Sequence, residues 1–331
     1  MAAAAASLPD QITAAEAEAR TVALPEVVPE GVAVVGMGGS GIAGDILRAV
    51  VDPVMVVPVL TVKGYDLPAC VGPGWLVLAV SYSGETEEVL AATQHALEAG
   101  IDVVAVTRGG TLEAVVAGAG GTVITAAADV AVPRAGVGAL AVPGVVLVDR
   151  LGLVPEDAFD VAAASAQAAR RRDACQVSVP EADNAAKQLA RAMEGKLPLF
   201  YGGGLLGGVA AYRAKCDVNE NAKTPAYSHV HPELDHNEIC AWGPDIGDVV
   251  LVNLVTGLEH PQVARRAALV ASMVAEAGVV VHDVRAEGDG ALARLFDLVS
   301  LCQWASIYLA YLRGVDPGPI EAISRLKAAL G

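Results

Sequence analysis

One pattern occurs twice in this chain, and it restricts the fold more than any other feature. Val32–Val50, VAVVGMGGSGIAGDILRAV, is an apolar run, then glycines, then a helical run. Leu197–Lys215, LPLFYGGGLLGGVAAYRAK, repeats that order in the second half. A buried strand that turns through glycines into a helix opens a βαβ unit. Further strand candidates follow at Val54–Val62, Trp75–Val80, Asp102–Thr107 and Gly121–Thr125, then at Val249–Thr256 and Val279–Val284. A helix is expected over His260–Ala277. Strands alternating with helices imply parallel sheets with right-handed crossovers. The expectation is an α/β protein made of two doubly wound domains in tandem, an internal duplication, divided as 1–152 and 153–331.

The remaining segments are read by composition. Residues 1–9 look like a flexible tail, Asp10–Leu24 a helix stopped by Pro25, and Pro155–Arg172 an alanine-rich helical connector. Ala291–Leu312 and Glu321–Leu330 read as helices joined by Gly314–Pro319. Hydrophobic residues make up 54% and aromatics only 4%, which suits closely packed helices on valine-rich strands. The longest apolar candidate, Ala135–Val148, is interrupted by Gly136, Gly138, Pro143 and Gly144. No membrane partner is therefore expected. The N-terminus lacks the basic start of a signal peptide. A net charge of −16 argues against nucleic acid, although a local site can still hold an anion. Five scattered cysteines without CxxC spacing suggest neither a disulfide framework nor zinc, and fit a cytoplasmic location.

Chemistry gathers in three segments. The loop Ser81-Tyr82-Ser83-Gly84-Glu85-Thr86 follows a strand and opens a helix, so hydroxyls, backbone amides and a helix N-terminus converge there. Such a point favours an anion, most simply a phosphate, held by Ser81, Ser83 and Thr86. The plainer reading is an N-cap with a capping box. Gly36–Gly41, GMGGSG, fits GxGxxG, but the second strand candidate ends at Lys63, where a dinucleotide site wants an acid. Ser40 reads better as a further phosphate ligand, with Gly38 and Gly39 as a substrate loop. The third segment, Asp217–Trp242, DVNENAKTPAYSHVHPELDHNEICAW, carries Glu220 near the end of an expected helix that Thr224-Pro225 terminates. An acid shielded from water there suits a general base, and His236 a partner acid. The plain alternatives are a solvated glutamate and a structural histidine. His229 and His231 lack companions with ligand spacing, so no metal is expected, and no cofactor.

At this point the residues carry a resemblance. GMGGSGIAGD and VSYSGETEE resemble the two phosphosugar-binding loops of sugar isomerase domains. NENAK at Asn219–Lys223, PELDHNEI at Pro232–Ile239 and the tail GVDPGPIEAISRLK resemble the bifunctional phosphoglucose/phosphomannose isomerase family, from about residue 10 onward. The resemblance implies flavodoxin-like sugar isomerase domains and a homodimer with a shared active site. It makes Glu220 the base between C1 and C2, and His236 the ring-opening acid/base supplied by the neighbouring subunit. It sets Arg134 near the enediolate and Lys327 near the ring oxygen, with Ser40, Ser81, Ser83 and Thr86 on the phosphate. The implied reaction interconverts glucose 6-phosphate, and mannose 6-phosphate, with fructose 6-phosphate. Glu85 stands where the family usually has a smaller uncharged residue, and Gly318 where relatives often carry a hydroxyl. Glu85, with the aromatic-poor segment that follows Arg134, motivates an alternative, a phosphosugar-binding sensor or partner without turnover, while the position of Gly318 bears on handling both C2 epimers.

Overall fold

The structure, a computed structural model, describes residues 1–26, 28–127, 129–130, 132–243 and 246–330. Two compact units emerge. One comprises Ser7–Ala169 with Gly288–Arg294; the other comprises Met1–Ala6, Arg170–Glu287 and the chain from Leu295 on. Along the first part run α1 (Ala2–Ala6), α2 (Leu8–Thr21), β1 (Gly31–Gly36), α3 (Gly38–Val51), β2 (Val59–Val62), β3 (Trp75–Ser81), α4 (Glu87–Glu98), β4 (Asp102–Thr107), α5 (Gly110–Gly118), β5 (Thr122–Thr125), α6 (Val137–Arg150) and α7 (Val161–Cys175).

The first sheet has strand order β2-β1-β3-β4-β5, and every pair is parallel. The chain leaves β1 for the edge at β2 and returns to β3 on the other side. The order therefore reverses between β1 and β3, and ligands in open parallel sheets bind beyond the strand ends at such a reversal. The turns from β1 into α3 and from β3 into α4 carry Gly38–Ser40 and Ser81–Thr86. One face of the sheet, through Val35, Val77, Ala79 and Val103, packs with Val89, Ala92 and Ala96 of α4 and Leu112 and Val116 of α5. On the other face α3 lies so close that a Cβ on Gly44 would come within 2.5 Å of Thr61 and 3.0 Å of Val34.

The interruptions in the run 135–148 do not prevent a helix: α6 passes through Gly138, Pro143 and Gly144, with every residue from Val137 to Val148 buried. Tertiary burial outweighs helix propensity there, and Gly144 lets Leu78 approach. Residues 1–9 are not a loose tail. Ala5 and Leu8 are buried, and Gln11 of α2 donates to Ala135 O at 2.8 Å while accepting from the Gly138 amide at 3.2 Å.

The second part continues with α8 (Ala185–Met193), β6 (Leu197–Gly203), α9 (Gly204–Asp217), β7 (Tyr227–His231), β8 (Val249–Val255), α10 (Pro261–Glu276), β9 (Val280–Arg285), α11 (Gly290–Leu312) and α12 (Glu321–Leu330). Its sheet, β7-β6-β8-β9, is parallel throughout. The glycine loop after β6 packs on itself. A Cβ on Gly202 would fall 2.0 Å from the Gly207 carbonyl oxygen, so turn and helix meet backbone to backbone. At 23 residues α11 is long and apolar enough to cross a bilayer. Its apolar residues from Leu295 to Ala310 are nevertheless buried. Its Asp297, fully buried, accepts two 2.8 Å hydrogen bonds from Arg171 and a third from the Glu287 amide. That is the pattern of a core helix in a folded unit.

Candidate active site

The first unit gathers four hydroxyl residues at its switch point. Ser81 Oγ and Thr86 Oγ1 lie 3.0 Å apart. The Gly84 amide donates to Ser81 Oγ at 3.2 Å, the Glu85 amide to Ser83 Oγ at 3.2 Å, and the Tyr82 amide to Ser40 Oγ at 3.3 Å. Ser40, in the first turn of α3, is thereby tied to the loop after β3. Gly84 has φ +71°, and a Cβ there would overlap the Gly109 carbonyl at 1.9 Å; only glycine allows the loop to close this tightly.

Thr86 occupies the N-cap position of α4, yet its hydroxyl makes no cap hydrogen bond to that helix. A capping threonine normally spends its oxygen on the second or third helical amide. Here the oxygen turns to Ser81 instead, and the helix N-terminus remains available to an anion. Glu85 is turned away from this cluster. Its carboxylate accepts from the Thr111 amide at 2.7 Å and the Thr111 hydroxyl at 2.9 Å, capping α5.

Arg134 sits in a 3-10 turn, Pro133–Gly136, and is 2% exposed, which rules out a surface cation. A Cβ on Gly39 would lie 3.0 Å from Arg134 Cα, so the Gly38–Gly39 loop and the arginine turn touch through backbone. Where a nucleotide site would put an acid, Lys63 pairs with Asp45.

In the second unit Glu220 lies within a π-helical turn, Val218–Ala222, that continues α9. Single π turns have no sequence signature and often occur at functional sites. Lys223 closes the turn in a left-handed conformation, φ 54°. The turn is held from several sides. Asn219 Nδ2 donates to Thr224 O at 2.9 Å, and buried Asn221 Nδ2 to Ser306 Oγ of α11 at 2.8 Å. Arg313 Nε donates to Ala222 O at 3.0 Å, and Lys223 Nζ to the carbonyls of Glu220 and Pro319. Beneath it, Arg213 and Asp217 form a buried pair at 2.8 Å.

Glu220 is half-buried. With Asn219, Lys223, Asp316, Ile320 and Ile323 it lines a cleft of about 490 Å³ between the turn and the start of α12. Lys327 is exposed further along α12 and is not among the lining residues. His236 ends a 3-10 turn, Glu233–His236, and is exposed. The buried His231–Asp235 pair anchors that turn at 2.7 Å, and Tyr201 bonds to Glu238 just beyond it. Gly318 donates its amide to Asp316 at 2.8 Å. Asn221, Lys223 and Ser306 were missed as supports of the turn. The NENAK residues were visible in the sequence, but their partners across α11 were not.

The chain is similar to known proteins in both sequence and fold. Residues 182–330 match the model of the bacterial phospho-glucose isomerase C-terminal SIS domain. The chain is 35% identical over 302 residues to the bifunctional phosphoglucose/phosphomannose isomerase of Caldicellulosiruptor bescii, covering 90% of this chain and 89% of the relative. To the enzyme of the same name from Aquifex aeolicus it is 31% identical, over 91% and 90%. In fold it is similar to the C-terminal domain of glucosamine-fructose-6-phosphate aminotransferase from Francisella tularensis, with a TM-score of 0.72, 15% identity, and coverage of 95% and 96%.

Proposed function

Because the chain belongs to the bifunctional phosphoglucose/phosphomannose isomerase family, we propose that it interconverts glucose 6-phosphate and mannose 6-phosphate with fructose 6-phosphate through an enediol(ate). The observation that carries the site reading is the set of converging hydroxyls of Ser40, Ser81 and Thr86 beside a helix start that Thr86 does not cap. In this reading the phosphate is held by Ser40, Ser81, Ser83 and Thr86, and Gly38 and Gly39 form the substrate loop, Gly39 lying against the Arg134 turn. His236, delivered by a second copy in a homodimer, moves the proton that opens the ring, and Lys327 approaches the ring oxygen. The Glu220 carboxylate takes the proton from C2 of the open aldose and returns it to C1. The pair of electrons left at carbon flows to the carbonyl oxygen O1, the Arg134 guanidinium stabilises the enediolate formed, and the hydroxyl proton of O2 passes to O1, so that the proton returned to C1 leaves the ketone at C2. No step calls for a metal or cofactor.

The reading treats 1–152 and 153–331 as tandem SIS domains. Two features support it: two parallel sheets, each opened by a strand, glycines and a helix, and a family model over 182–330. Five free cysteines are compatible with a cytoplasmic location.

The experiment is solvent deuterium exchange at C1 and C2 of fructose 6-phosphate. Glu220→Gln is expected to slow exchange at least ~10²-fold, the low end for losing a general base. A wild type no faster than that variant rejects the isomerase. Tight fructose 6-phosphate binding without exchange at any pH would select the turnover-free sensor, although Glu85, one of its motives, faces Thr111.

A further inference from the structure

Within the isomerase reading, we infer that Tyr82 is a positioning residue that links phosphate capture to the placement of Arg134. Its main chain belongs to the hydroxyl loop, where its amide donates to Ser40 Oγ at 3.3 Å. Its side chain leaves that loop. The phenol donates to the Val130 carbonyl at 3.0 Å and accepts from the Val130 amide at 3.1 Å. Arg108 Nη1 donates to the same oxygen at 3.2 Å and to Asp129 at 2.8 Å. One side-chain oxygen therefore grips both backbone polar groups of a single residue, as a strand partner would. Hydrogen-bonded geometry of this kind fixes the chain at Val130.

Arg134 stands further along that segment and is held on two sides. The glycine loop touches its backbone, with 3.0 Å from a Gly39 Cβ to Arg134 Cα. At Gly136 a Cβ would meet Val130 Cγ2 at 3.3 Å and the Tyr82 ring at 3.6 Å. The ring and Val130 together fill the space beneath the arginine turn. A phosphate settling among Ser81, Ser83 and Thr86 fixes the backbone of Tyr82, and through the phenol it fixes the approach to Arg134. Binding energy from the unreacting end of the substrate is then used at the reacting end.

Tyr82→Phe keeps the ring and removes the oxygen. With the full chain and fructose 6-phosphate, kcat is expected to fall about tenfold, since a misplacement near 1 Å can cost up to ~10²-fold. KM is expected to stay within about twofold. Affinity for a six-carbon polyol phosphate is expected to be unchanged. A five-carbon aldonohydroxamate phosphate, which carries planar oxygens like the enediolate's, is expected to lose affinity by the same factor as kcat. A merely structural role lowers the folded fraction without separating the two ligands. Arg108→Gln, which removes one hydrogen bond from the phenol, is expected to shift the same parameters less, and it carries the test if the phenylalanine variant does not fold. A kcat within about twofold of wild type, or equal weakening of both ligands, overturns the link.

If wild type shows no isomerisation, that failure belongs to the proposed function, and amide exchange reads the link instead. The Val130 amide is expected to exchange at least ~10-fold faster in Tyr82→Phe at unchanged affinity for inorganic phosphate. Unchanged protection overturns it.

Discussion

Glu85 accepts from both the amide and the hydroxyl of Thr111, and this changes what its charge does beside the hydroxyl loop. A carboxylate facing a bound phosphate would repel it; one spent on the start of α5 acts as that helix's cap. Glu85→Ala is expected to lower stability by about 1 kcal/mol, the usual worth of a cap. Its KM for fructose 6-phosphate is expected to stay near wild type. Thermal unfolding and steady-state kinetics check the two halves of that statement. Another side chain contributes to the loss of stability at alkaline pH. Burial pushes the Tyr308 phenol up to about 12 from 10.0, and the phenol donates to the Cys175 carbonyl. The unfolded chain releases this proton near pH 10 while the folded chain holds it. The stabilisation is therefore complete below pH 10 and is lost as pH rises towards 12. Unfolding followed from pH 9 to 12 is expected to show a shallower decline in Tyr308→Phe than in wild type.

The element that decides how firmly Glu220 is held is α11. Ser306 accepts from Asn221, and Arg313 just beyond the helix donates to Ala222 O. Ser306→Ala leaves the Asn221 amide group without that acceptor, at a cost of about 1–3 kcal/mol, and loosens the π turn. Isomerase kcat is expected to fall while KM holds, measured against the stability loss of the same variant. Most strands were legible, because valine-rich runs bounded by glycines and turns have few other solutions. The expected Val54–Val62 strand shrank to β2, and β7 passed unnoticed at the sheet edge, where Tyr227–Val230 are at most half-buried. The Ser81 and Thr86 cluster was legible because its hydroxyls follow a strand directly. The Tyr82–Val130 contact and the Asn221–Ser306 contact were not, since each joins positions far apart in the chain. Helix α6 hid behind Pro143, whose cost is met only once the helix is buried. The π turn at Glu220 leaves no periodicity to detect.

At the scale of the whole molecule, the shared-site proposal requires His236 to serve a second copy. His236 is exposed while Leu234, His231 and Asp235 next to it are held in the unit. Mixing Glu220→Gln with His236→Gln, each inactive alone, is expected to restore about a quarter of wild-type activity. Half of randomly formed dimers are mixed, and each of those regains one of two sites. No restoration would mean that both residues act within one chain.

Residues 1–6 belong to the same unit as α11 from Leu295 on and the segment that follows it. On the ribosome, then, residues 1–6 emerge long before the rest of their unit. The β1–β5 sheet can begin to condense while translation continues. The unit carrying Glu220 cannot close until Leu312 has been made, and until then an apolar stretch long enough to be mistaken for a bilayer segment is in the open. Premature termination in α11 beyond Arg294 should therefore yield a product that chaperones retain, with one half folded and the other sticky.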